Sequence, residues 1–147
     1  VDSADAIGST KPKAPWHLWA VGILSLLWYL AGAYTIFQAQ YGTLPGLDAD
    51  EIAYYAAKPV FLEWLSNISL LMGIAGSVSL LQRRKAARPL FMMLVVVTLA
   101  ANGIEIGNGT SRALANQGAM IATIVIEVIA IFNWLHARSL ERKGVLA

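Results

Sequence analysis

The sequence predicts an all-α membrane protein: a four-transmembrane-helix up-and-down bundle with a short interfacial helix between spans 1 and 2. Three observations carry that expectation. Apolar residues make up 57% of the 147-residue chain and charged residues only 14%, with a mean hydropathy of +0.58, whereas a water-soluble surface needs about a quarter of its residues charged. The charges also fall into short clusters, and the apolar runs between them reach about twenty residues, the length that crosses about 30 Å of hydrocarbon. Finally, lysine and arginine gather at alternate ends of those runs, as a chain threading a membrane requires.

Residues 1–15 are small, polar and proline-containing, too poor in apolar side chains to fold alone, and read as a flexible N-terminal cytoplasmic arm. Residues 16–147 then form a single four-helix transmembrane domain. Span 1 is expected over residues 17–37, longer than the apolar core of about 7–15 residues found in a cleaved secretory signal. Gly42, Pro45 and Gly46 break the chain after it. Asp48 is placed to cap a short helix, with Glu51 three residues on to bond back. Ile52, Tyr54 and Tyr55 give that helix an amphipathic face, and Pro59 ends it, which suggests a helix lying on the outer membrane surface.

Span 2 covers residues 60–81. The basic stretch 82–88 is long enough only for a turn between antiparallel neighbours, and Pro89 suits the first turn of span 3, residues 89–108. A second polar loop, 109–117, leads to span 4, residues 118–135, and a basic tail follows. No internal repeat is evident. Lys11, Lys13, Arg83, Arg84, Lys85, Arg88, Arg138, Arg142 and Lys143 fall on one side, and only Lys58 and Arg112 on the other. Basic residues are retained in the cytoplasm, so both termini are expected there. Trp16, Trp19 and Trp134 then anchor the inner interface, and Trp64 the outer one with Tyr41, Tyr54 and Tyr55.

Three carboxylates lie inside spans: Glu63, Glu105 and Glu127. Each costs a few kcal/mol unless protonated, paired or wet. Glu63 and Glu105 stand about one turn from the outer ends of their spans, whereas Glu127 is roughly 14 Å deep, near the midplane. Helical spacing pairs Glu63 with Asn67, Asn102 with Glu105, and Thr123 with Glu127 on single faces. The functional reading is a polar pocket open to the outer side and closed below by Glu127, suited to a cation, a proton or a polyhydroxyl solute. The alternative is interhelical hydrogen bonding that only holds the bundle together.

Gly73 with Ser77, and Gly103 with Gly107, are small residues four apart that permit close helix packing, within the bundle or between copies. Trp28 and Tyr29 could stack on a ring-bearing ligand, or simply fill the core. His17 and His136 both fall at the inner interface without carboxylate or thiolate company, so no metal site is expected. The chain has no cysteine, which removes disulfides, thiolate nucleophiles and iron–sulfur chemistry. It carries no phosphate-binding glycine loop, no H-E-x-x-H pair and no serine with a base. With a net charge of only +2 it has nothing to attract nucleic acid. No cofactor is implied, and an enzyme is not expected.

Trp19, Gly22, Leu24, Leu26, Leu27 and Trp28, followed by Gly32, form one motif in span 1. Pro59 and Trp64 open span 2, and Gly76, Ser77, Leu80, Leu81, Arg83 and Arg84 close it. In these motifs, over the first 90 residues or so, the chain resembles a family of small proteobacterial four-span membrane proteins often labelled sugar transporters. The resemblance implies a multi-pass protein of the bacterial inner membrane. It carries over no catalytic or binding residue, and where the family often has an Asp-Tyr pair this chain has Ala33-Tyr34. Two functions are left in view: a non-enzymatic accessory or structural subunit of a larger inner-membrane assembly, or a small-solute, sugar-like or proton-coupled transporter or channel acting as an oligomer. The expected partners are the lipid bilayer and other membrane subunits or copies of the chain itself.

Overall fold

A computed structural model describes residues 13–43, 45–46, 49–111 and 117–146. It contains five helices among them: α1 (Trp16–Gln40), α2 (Ala49–Ala57), α3 (Val60–Leu81), α4 (Ala87–Gly107) and α5 (Gln117–Arg142). The four long helices are apolar enough to span a membrane, and at 1.5 Å per residue they run about 30–40 Å. The short α2 stands between spans 1 and 2. Most of the arm expected over residues 1–15, the Asp48 cap, Lys11 and Arg112 lie outside the described residues.

The exterior of the bundle is apolar. Leu24, Leu71 and Val96 are each more than 60% exposed, on helices that are hydrophobic all round, the mark of a lipid-facing surface. Inside, α1 packs along α3, α3 along α4 and α4 along α5. The ring closes where Ser25 and Tyr29 of α1 meet Asn133 of α5. The start of α1, the α3–α4 turn and the end of α5 therefore share one end, here the basic end, and α2 lies at the other.

Packing is densest at the basic end. Leu18, Leu80, Phe91, Leu140 and Leu146 are fully buried there. Glycines let the helices close on these side chains: a methyl group at Gly22 would lie 2.6 Å from Leu81 Cδ2, and one at Gly76 2.9 Å from Phe91 Cε1. Gly73 receives the flat face of Tyr29, whose Cδ1 would lie 2.5 Å from an added methyl. Ser77, also buried, returns its hydroxyl to Gly73 O at 2.8 Å and so brings no unsatisfied polar group into the seam. Gly103 and Gly107 differ, being exposed on α4 with nothing within 4 Å of an added methyl.

All four long helices end in the same hydrogen-bonded turn, in which an amide bonds back to the carbonyl five residues earlier around a left-handed residue. Gly42, Gly109 and Gly144 take that position after α1, α4 and α5, and Arg83 takes it after α3 with φ +58°. A side chain costs roughly 1–2 kcal/mol in this conformation. The Arg83 side chain contributes an offsetting contact, its Nε donating to Val145 O at 3.1 Å.

Three boundaries differ from the sequence expectation, the first being the end of α1, which runs on to Gln40 rather than stopping at residue 37. Helix α4 begins at Ala87, so Pro89 falls within the first turn, where no amide donor is needed. Helix α5 continues to Arg142, beyond the expected end near residue 135. Ala137 and Leu140 are buried in this extension, and Glu141 pairs with Arg88 at 2.9 Å, so the amphipathic stretch gains contacts by staying helical.

Candidate functional site

Toward the α2 end several of the facing side chains become small, and the bundle holds a half-open cavity of about 450 Å³. Gly32 and Ala31 of α1, Ser66 and Ser69 of α3, and Ala101 of α4 line it where the other half of the bundle has leucine and phenylalanine. Its size lies within the range of small-molecule sites. Tyr54, Tyr55 and Lys58 cover the α2 end, Asn102 and Glu105 form the α4 wall, and Thr123 and Ile126 come from α5.

Lys58 and Glu105 form the most enclosed charge pair. Lys58 Nζ lies 3.1 Å from Glu105 Oε1, with the two side chains only 13% and 10% exposed. Tyr54 donates its hydroxyl to Glu105 Oε2 at 3.1 Å, and Lys58 also donates to Ser66 Oγ at 3.1 Å. Ser66 donates its own hydroxyl to Leu62 O at 2.9 Å. Burial, and then the negative charge of Glu105, push the Tyr54 and Tyr55 phenols above their ordinary value, so both remain neutral donors. This cluster is electrically balanced: one cation, one anion and phenols that keep their protons.

Glu127 is held differently. Its Oε1 accepts from Asn102 Nδ2 at 2.7 Å, and its Oε2 lies 3.0 Å from Thr98 Oγ1. Thr98 Oγ1 is also 3.0 Å from Leu94 O and 3.2 Å from Val95 O. A hydroxyl has one proton to give, so when Thr98 bonds its own helix, the contact with Glu127 needs a proton on the carboxyl. No lysine or arginine pairs with Glu127 among the described residues.

Of the six polar residues expected to converge, four surround this space: Asn102, Glu105 and Thr123 line it, and Glu127 stands behind Asn102 and Thr98. Thr123 satisfies its hydroxyl on Ala119 O at 2.9 Å. Glu63 and Asn67 are only partly buried and lie outside the cavity wall, on the neighbouring face of α3. The inward face of that helix is Leu62, Ser69, Gly73 and Leu80, which brings the serines to the cavity instead. Sequence reasoning missed Lys58, Tyr54, Ser66, Ser69 and Thr98. Spacing holds a signal for one of them, since Thr98 precedes Asn102 by four residues on one face of α4.

Trp16 and Trp19 are exposed at the basic end, Trp64 is exposed at the α2 end, and Trp134 is half-buried against the core. His17 and His136 meet there, ring centroids 5.2 Å apart. Among the described residues no group of three or more His, Cys, Asp or Glu side chains is placed to hold a metal ion. The chain matches no protein-family model, no curated protein and no solved structure.

Proposed function

We propose that this chain is a non-enzymatic, multi-pass protein of the bacterial inner membrane that binds a small solute in the cavity at its α2 end and carries it as a transporter. The observation that supports this reading is the cavity itself: about 450 Å³ between the helices, with donors and acceptors from the α2 end, α3, α4 and α5 along its walls. A bundle that served only to pack would gain by filling that space, because empty volume forfeits contacts. The lysine and arginine bias assigns the basic end to the cytoplasm, which turns the α2 end outward.

A second reading, an accessory subunit of a larger inner-membrane assembly, draws on the bare strip of α4 at Gly103 and Gly107, where nothing within the chain approaches. Close backbone contact with another helix suits such a strip. Purification in mild detergent followed by native mass spectrometry separates the two. A small molecule bound at unit stoichiometry, and lost in Ser69→Leu, is the expected result. A fixed set of other subunits with no small molecule would support the accessory reading instead.

A further inference from the structure

The walls of the cavity are not equally closed. At the α2 end, among the described residues, the lining is partly or wholly buried: Glu105 is 8% exposed and Ser111 7%, and Tyr54, Tyr55 and Lys58 are half-buried. On the flank between α1 and α5 the lining is open, with Trp28 42% and Ile126 43% exposed and Ala31 and Thr35 exposed beside them. A residue that lines a cavity and also faces outward stands at its rim. The hydrogen bonds and ring contacts joining α1 to α5 among the described residues lie between the basic end and Tyr29. Above Tyr29 no hydrogen bond or ring contact joins α1 to α5 among the described residues. The open rim is at membrane depth, so what lies against it is lipid.

We infer that the cavity opens sideways into the bilayer between α1 and α5 and takes a neutral, membrane-dissolved amphipath with a hydroxyl- or carbonyl-bearing head. This deepens the solute-binding reading and rests on it. The chemistry of the wall selects that class. Trp28, Leu70 and Ile126 offer an apolar channel from the rim. Lys58 gives donors to Glu105 and Ser66 and keeps a third N–H, and Asn102 keeps its carbonyl while its amide holds Glu127. Because Lys58 and Glu105 neutralise each other, and Glu127 stands off the wall behind Asn102 and Thr98, a charged head would meet no uncompensated partner on the wall and would lose its hydration. A neutral oxygen-bearing head loses little.

The test uses the full chain in phosphatidylcholine nanodiscs containing a diazirine-bearing monoacylglycerol, with photolabelled positions mapped by peptide mass spectrometry. Leu70 lines the cavity, whereas its neighbour Leu71 is 65% exposed on the lipid face. Both are expected to be labelled. Ala31→Trp, which narrows the rim from α1, should lower labelling at Leu70 about tenfold and leave Leu71 unchanged. Ile126→Trp does the same from α5, so a folding defect in one variant does not decide the outcome. Labelling at Leu70 that is absent, or indifferent to both variants, overturns lateral access. A charged methanethiosulfonate reagent applied to Ser69→Cys, in a chain otherwise free of cysteine, tells the two proposals apart. Reaction there with Leu70 unlabelled means a cavity open to water, which ends the lateral route and leaves solute binding standing. Silence from both probes removes both proposals.

Discussion

The two halves of the bundle solve the same problem in opposite ways. Near the basic end, glycines stand against large side chains, Gly22 under Leu81, Gly73 under Tyr29 and Gly76 under Phe91, and Ser25, Tyr29 and Asn133 join their polar atoms to one another. Asn133, 1% exposed, accepts from Ser25 at 2.8 Å and donates to Tyr29 at 3.1 Å. Near the α2 end, Ala31, Gly32, Ser66, Ser69 and Ala101 stand among the larger apolar residues of the wall, and an ion pair with its phenol and serine partners lines the space left over. In lipid there is no hydrophobic force between helices, so association rests on van der Waals contact and hydrogen bonds. The first half is held chiefly by the former and the second by the latter, and a polar cavity is affordable only because the other half is tight.

That contrast can be broken most forcefully at Glu105. Glu105→Ala leaves Lys58 enclosed without its partner and is expected to cost about 3–5 kcal/mol, whereas Lys58→Met combined with Glu105→Met should cost far less. Steric-trap unfolding in bicelles measures both; equal losses would mean that the pair is solvated and that the cavity wall is not as dry as its burial indicates. The glycines sharpen the contrast at a smaller scale. Gly76→Ala forces its methyl against Phe91 and should destabilise by about 1–3 kcal/mol. Gly103→Ala meets nothing and should stay within about 0.5 kcal/mol. A large loss in the second variant by the same assay would place a neighbouring chain on that strip.

The smallest expected effect is a pH dependence confined to the α2 end. The folded state raises the Tyr54 phenol above its ordinary value of 10.0, through burial first and the Glu105 charge second. A raised acid binds its proton more tightly when folded, so its contribution is constant below about pH 10 and is lost as the pH climbs further. Tyr54→Phe should flatten the alkaline fall in the unfolding midpoint; an unchanged fall would assign it to another group.

Much of the fold was legible in the sequence because the bilayer imposes it: four apolar runs, a basic turn and a proline-limited short helix leave few arrangements. Part of the site was legible for a related reason, since Asn102, Glu105, Thr123 and Glu127 are conspicuous where polarity is expensive. The facing of α3 was not. That helix is apolar nearly all round, so periodicity does not set its phase, and the turn from Glu63 and Asn67 to Ser66 and Ser69 is decided by Gly73 and Gly76 receiving Tyr29 and Phe91. Lys58 counted in the sequence only as a basic residue on the sparsely charged side. Its role depends on α2 turning inward, a tertiary choice that places Tyr54 against Glu105.

The contact between Arg83 and Val145 joins positions 62 residues apart. During synthesis the α3–α4 turn leaves the ribosome long before its carbonyl partner exists, and its left-handed arginine must wait. The turn that follows α5 thus acts as a clasp that is fastened only once the last of the four helices is in place. Cutting the chain before Val145 would remove that clasp and open the floor of the bundle in which Val145 and Leu146 are buried.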